Sequence, residues 1–193
     1  MKPVLLILDV QNGIIDRLEN TEPLLQRLAS TIEAARKATV PIIYVVTAFR
    51  PGYPEIPEGH PSLSPMAFVT RGGFINNYPS TQVHTTIKPA AHEVIVTKHR
   101  SSALNGTDLE MILRALRSND IVVAGVVTSN AVMSTVNYLV NGDYRVTVLK
   151  DCCMDRSEEA HRLFMEMVFP RSSKVVSAEQ WVESLSSSQT TDN

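Results

Sequence analysis

The chain has little with which to staple itself, cross a membrane or attract a polyanion. Its only cysteines, Cys152 and Cys153, are adjacent. Sequence neighbours cannot close a loop of useful length, so the disulfide reading is weak and a reducing compartment fits. No apolar run approaches the roughly 20 residues of a spanning helix. The N-terminal run Val4 to Leu8 stops at Asp9, too short also for the core of a secretion signal. Lys and Arg are not clustered and the formal net charge is -2, which leaves no basic field for nucleic acid or anionic lipid. The expectation is a cytoplasmic protein with a small-molecule substrate or ligand, no nucleic-acid partner and no membrane partner.

What is present is the pattern of a layered α/β domain. At 193 residues, 44% hydrophobic and 20% charged, the chain is long enough for one full core. Short Val- and Ile-rich runs, Val4 to Leu8, Ile42 to Thr47, Val94 to Thr97, Ile121 to Ala124, Arg145 to Leu149 and Lys174 to Val176, alternate with segments of helical period. Leu24, Leu25, Leu28, Ile32 and Ala35 form one helical stripe. Leu109, Ile112, Leu113 and Leu116 form a second, which Thr107 and Glu110 would open as a capping box. A third, Val132, Val136, Leu139 and Val140, ends at Gly142 and puts Ala131 in its first turn. The expected fold is a three-layer α/β/α sandwich on a six-stranded parallel sheet, Rossmann-like, as a single domain over 1–183 with a flexible tail at 184–193. Residues 50–79 interrupt the alternation with six prolines, and either a lid or a floppy insertion accounts for them. Phe49, Tyr53, Met66, Phe68, Phe74 and Tyr78 favour a lid, because they give it side chains to pack with.

In open parallel sheets ligands bind beyond the carboxyl ends of the strands. Asp9 ends the first strand, Lys98 the third, and the segment after Gly125 turns from the fourth into a helix, so all three reach one rim. Each alone has a duller explanation as a turn residue, a solvated cation or a tight connection. Together, the segments Lys98 to Leu109 and Gly125 to Thr135, with Asp9 in Leu8-Asp-Val-Gln-Asn-Gly13, resemble the isochorismatase-like superfamily of cysteine hydrolases, over Val4 to about Phe169.

The resemblance implies roles for named positions. Asp9 is the expected proton-transfer residue and Lys98 the cation that holds it and polarises the substrate. A cis peptide is expected between Val126 and Val127, with the Val127 and Ala131 amides forming an oxyanion site. Gln11, Phe49 and Thr128 are the expected substrate contacts, and a homodimer or homotetramer is the expected assembly. The sequence departs from the family pattern at Ser129, at Leu104 and above all at Ala131, which stands where the nucleophilic cysteine belongs.

No cofactor and no metal are expected. The five histidines show no paired ligand spacing, and Thr47-Ala-Phe-Arg50 lacks the Asp-x-His that gives the nicotinamidase branch its metal. Three readings of the missing thiol stay open. In the first, Asp9 and Lys98 perform acid–base chemistry without a residue-131 nucleophile, as in enol-ether hydrolysis, where the family's true isochorismatases carry a small residue at this position. No carboxylate-binding pair of arginines is evident for such a substrate. In the second, the pocket is catalytically inactive and binds a small molecule or a partner. In the third, Ala131 replaces the Cys of an ordinary cysteine amidase. A displaced thiol from Cys152 or Cys153 would be a further departure.

Overall fold

The computed structural model describes residues 3–60, 63–69 and 73–188. The elements run β1 (Val4–Leu8), α1 (Asn12–Ile15), α2 (Glu22–Lys37), β2 (Ile42–Thr47), α3 (Pro65–Val69), β3 (Val94–Lys98), α4 (Leu109–Ala115), β4 (Asp120–Val126), α5 (Met133–Asn141), β5 (Arg145–Met154), α6 (Glu158–Leu163), β6 (Lys174–Val176) and α7 (Ala178–Ser188). All six strands pair in parallel, in the order β3-β2-β1-β4-β5-β6. The order turns back between β1 and β4, and this is where a parallel sheet opens a crevice at its carboxyl rim.

Alternation along the strands builds a core on each face. Leu5 and Ile7 of β1 join Ile42 and Tyr44 of β2 against Leu24, Leu25, Leu28, Ile32 and Ala35 of α2 and Trp181 of α7. Val4, Leu6 and Leu8 join Ile43 and Val45 against Leu109 and Leu113 of α4, Val136 and Leu139 of α5, and Phe169. Because the central strands β1, β2 and β4 are buried on both sides they read as continuous apolar runs, which made them visible in the sequence, whereas the edge strands β3 and β6 keep exposed positions.

Several local expectations are corrected. Strand β5 continues to Met154 through a register shift opposite Val123 and Gly125, so Cys152 and Cys153 lie within the strand rather than after it. Thr107 stands one residue before the cap: the residue preceding α4 is Asp108, and the Thr107 hydroxyl accepts the Leu109 N–H at 3.3 Å while donating to the Ala103 carbonyl at 2.7 Å, with Glu110 paired to Arg114 instead of closing the box. Ala131 sits in a π-helical turn, Thr128–Val132, that precedes α5. Helix α7 runs to Ser188, so 184–188 of the expected tail are helical, while 189–193 lie outside the described residues.

The 50–79 segment carries a small aromatic core of its own. Phe49, Tyr53, Phe68 and Phe74 are buried together, and Phe49 stacks at a tilt on Phe68 with ring centroids 4.6 Å apart. Met66 and Tyr78 do not join it and are largely exposed, and 61, 62 and 70–72 lie outside the described residues.

Candidate functional site

Two backbone features bring the first and fourth strands together at the rim. Asp9 leaves β1 with φ 55, in the left-handed region that short polar residues tolerate. Across from it, Gly125 has φ 127, and a Cβ there would lie 2.1 Å from the Leu8 carbonyl oxygen. Only glycine lets β4 pass this close, so Gly125 sets the distance between Asp9 and the turn that follows. The Val126–Val127 peptide is cis.

Asp9 and Lys98 form a buried ion pair, Nζ to Oδ2 2.8 Å, with both side chains less than a tenth exposed. Thr47, at the end of β2, completes it. Its hydroxyl donates to Asp9 Oδ1 at 3.0 Å and accepts from Lys98 Nζ at 2.7 Å. Lys98 places its remaining proton on the Arg100 carbonyl oxygen at 3.1 Å, which uses all three ammonium donors. A buried charge survives only when paired and hydrogen-bonded throughout, and this pair meets that condition.

Gln11 is fully buried, but it serves the scaffold. Its amide accepts from the Thr47 N–H at 2.8 Å and donates to the Thr47 and Thr81 carbonyls at 2.9 and 2.8 Å, clamping the residue that bridges Asp9 and Lys98. Thr128 is likewise buried and bonds His161 Nδ1 at 2.9 Å. Neither side chain lines the cavity, so both expected substrate contacts are corrected to supporting positions. The turn is held from β5 as well: Asp155 accepts the Ser129 N–H at 2.6 Å. Burial pushes the His161 ring below the usual histidine range, against the nearby Asp155 carboxylate and a Lys150 backbone contact that raise it. A neutral ring that accepts from Thr128 and donates to Lys150 meets both contacts.

The cavity above the pair encloses about 190 Å³ and is lined by Asp9, Thr47 and Lys98 on one side and by Val126, Val127, Asn130 and Ala131 on the other. Phe49, with Phe68 and Phe74 from the 50–79 segment, forms its apolar wall. Arg17, Arg100 and Arg156 also line it, although the sequence made no pair of arginines evident. They were hidden because they come from three separate segments, and only folding gathers them. Neither cysteine reaches this cavity. Burial pushes the Cys152 thiol up to about 12 and raises Cys153 as well, which makes both poor nucleophiles. Among the described residues no group of three His, Cys, Asp or Glu is arranged to hold a metal, and no helix is long and apolar enough to cross a membrane.

The comparisons agree with this fold. The isochorismatase domain family matches residues 3–180, and the chain belongs to that family. It is 26% identical over 184 residues to the uncharacterized isochorismatase family protein YwoC of Bacillus subtilis, covering 94% of this chain and 93% of that one. It is 28% identical over 139 residues to an N-carbamoylsarcosine amidase of Arthrobacter sp., covering 72% of this chain and 51% of the amidase. Among solved structures, an isochorismatase family protein from Burkholderia thailandensis superposes with a TM-score of 0.84 at 25% identity, covering 96% of each chain.

Proposed function

We propose that the protein is a hydrolase of small molecules whose chemistry runs through Asp9 and Lys98 with water as the nucleophile, and that enol ethers are the substrate type it suits. The observation that carries this is the completed Asp9–Thr47–Lys98 cluster facing a methyl group at Ala131 across one cavity. Amide hydrolysis through an acyl-enzyme needs a nucleophile at that turn, whereas an enol ether needs a proton on carbon and then water.

Asp9, a carboxylate in its ion pair with Lys98, first takes up a proton from solvent and then delivers it to the terminal carbon of the double bond. The π electrons form the new C–H bond and leave the ether carbon as an oxocarbenium. Lys98 stabilises the carboxylate that remains on Asp9. Water adds to the cationic carbon and returns its proton to Asp9, and collapse of the hemiketal breaks the C–O bond to release an alcohol and a ketone. The Ala131 methyl leaves room at the turn for that water.

The test is product release from a panel of amides, ureas and enol ethers, with Asp9→Asn as control. Turnover confined to enol ethers and lost in the control supports the proposal; hydrolysis of an amide or urea overturns it. The likeness to an N-carbamoylsarcosine amidase favours a second reading, an amidase scaffold that lacks its thiol. Under it Ala131→Cys gains amide or urea hydrolysis and the parent protein turns over nothing.

A further inference from the structure

The apolar wall of the cavity is built by chain that folds largely on itself. Phe68 and Phe74 of the 50–79 segment face the cavity, and Phe49, at the root of the segment, packs with them. The first loop of the segment is a closed ring. The Glu55 carboxylate, only 10% exposed, accepts the Arg50 N–H and pairs with the Arg50 guanidinium at 2.7 Å. Tyr53 and Ile56 donate their N–H groups to the Arg50 and Tyr53 carbonyls, each at 3.0 Å. At the other end, Phe49 exchanges backbone hydrogen bonds with Phe74 and Asn76, and Asn12 of α1 holds the Pro79 carbonyl at 2.9 Å. Arg100, arriving from beyond β3, ties the first loop to the sheet. Its Nη2 donates to the Glu55 carbonyl at 2.9 Å and its Nη1 to the His99 carbonyl at 2.7 Å.

The same residue serves the ion pair through its backbone. The Arg100 carbonyl takes the third proton of Lys98, the other two going to Asp9 and Thr47. The chain leading to it is fixed as well: the Ala48 N–H donates to the Lys98 carbonyl at 3.3 Å, and His99 Nδ1 bonds the Ala48 carbonyl at 2.6 Å. Swinging the Arg100 carbonyl away from Lys98 would turn the residue whose guanidinium holds Glu55. We infer that Arg100 is a positioning residue that latches the 50–79 segment over the Asp9–Lys98 pair and orients the Lys98 ammonium in the same act. This rests on the proposed function for what the pair does to a substrate, but not for the latch. A guanidinium suits the task because its planar fork presents two donors in fixed geometry, and charge strengthens both bonds. Arg100 is only half-buried, so water can replace the Glu55 carbonyl when the segment opens, as a lid over a reaction site requires.

Two readouts test the two halves of the inference. Hydrogen–deuterium exchange reads the latch at the Arg50, Tyr53 and Ile56 amides, which the closed ring protects. Arg100→Gln is expected to speed their exchange at least about tenfold, and Arg100→Lys, which keeps the charge but not the fork, at least about threefold, with α2 unchanged. The second readout is the pH midpoint for iodoacetamide alkylation of a thiol introduced by Ala131→Cys, which shares the cavity with Lys98. A misaimed ammonium stabilises the thiolate less, so the midpoint rises in both Arg100 variants, by about half a unit in Arg100→Lys, where no charge has been lost. Unchanged exchange in both variants overturns the latch, and a midpoint in Arg100→Lys equal to that of the parent overturns the link to Lys98. Exchange that accelerates equally in α2 makes Arg100 an ordinary stabilising residue and overturns the inference. Should Arg100→Gln fail to fold, Arg100→Lys decides alone. Absence of enol-ether turnover in the parent with both shifts present counts against the Asp9 chemistry only; turnover with neither shift counts against Arg100 only.

Discussion

The two walls of the inner cavity have met opposite fates. On the strand-end wall, Asp9, Thr47 and Lys98 come from three different strands and satisfy one another completely, and Gln11 is spent on holding Thr47 in place. On the turn wall the backbone is equally well secured, by Asp155 at Ser129 and His161 at Thr128, yet the side chain presented is a methyl. Keeping an ion pair out of water is expensive, and an apolar replacement of similar volume is often neutral or stabilising. A pocket kept only for its shape has no physical need of that pair. The contrast is between a strand-end wall whose charged groups are all satisfied and a turn wall that presents only a methyl.

The strongest way to break the comparison is Asp9→Asn. Removing the carboxylate is expected to lower kcat by about 10² to 10⁴, the usual contribution of a positioned acid or base. It also leaves Lys98 buried without its counter-ion, at a cost of about 3–5 kcal/mol, read as a Tm lower by roughly 10 °C. Retained turnover would remove Asp9 from the chemistry. Thr47→Val keeps the shape and deletes the bridge. It should cost about 1–3 kcal/mol in chemical denaturation, the penalty of an unmet buried partner, and lower kcat less than Asp9→Asn does. An unchanged kcat would make Thr47 a purely structural residue.

The turn wall is probed by adding what it lacks. A thiol introduced by Ala131→Cys would stand at the start of a helix and share a cavity with Lys98, two influences that favour thiolate. It should alkylate at neutral pH faster than Cys152 or Cys153, both held as thiols by burial, and add nothing to enol-ether turnover. Equal reactivity of all three would mean that the turn does not present residue 131 to the pair.

The smallest effect concerns what holds the turn. His161 is depressed below its usual 6.5 by burial, so below about pH 6.5 the unfolded chain takes up a proton that the folded chain resists. Stability from this ring is therefore complete above that pH and declines as the pH falls towards the lower folded value. Denaturation midpoints measured from pH 7.5 to 5 should show the decline, and His161→Asn should flatten it. The same slope in both proteins would assign it to other groups.

The central strands were legible because β1, β2 and β4, buried on both faces, are solid apolar runs; Asp9 and Lys98 were legible because each stands where a Val- and Ile-rich run ends, although β3, which Lys98 closes, is an edge strand with exposed positions. Thr47 was not. It ends β2 just as plainly, but a threonine at a strand end is ordinary, and only the register of β2 with β1 and β3 turns its hydroxyl into a bridge. Arg17 and Arg156 lie 139 positions apart, and no periodicity links the loop after α1 to the end of β5. Thr107 was half right: its hydroxyl meets the Leu109 N–H that opens α4, but it stands one residue before the cap position, and Glu110 pairs with Arg114 rather than closing the box. Met66 and Tyr78 were expected in the aromatic cluster on composition, and composition does not say which way a side chain points.

The central claim is that Asp9 protonates carbon and no side chain at 131 takes part. It is tested most directly by running enol-ether hydrolysis in D₂O and reading the released ketone by mass spectrometry at early times. The account predicts one deuterium on the carbon that was the terminus of the double bond, with product formation collapsing in Asp9→Asn. A ketone without that deuterium, or undiminished release from the Asp9→Asn protein, would contradict it.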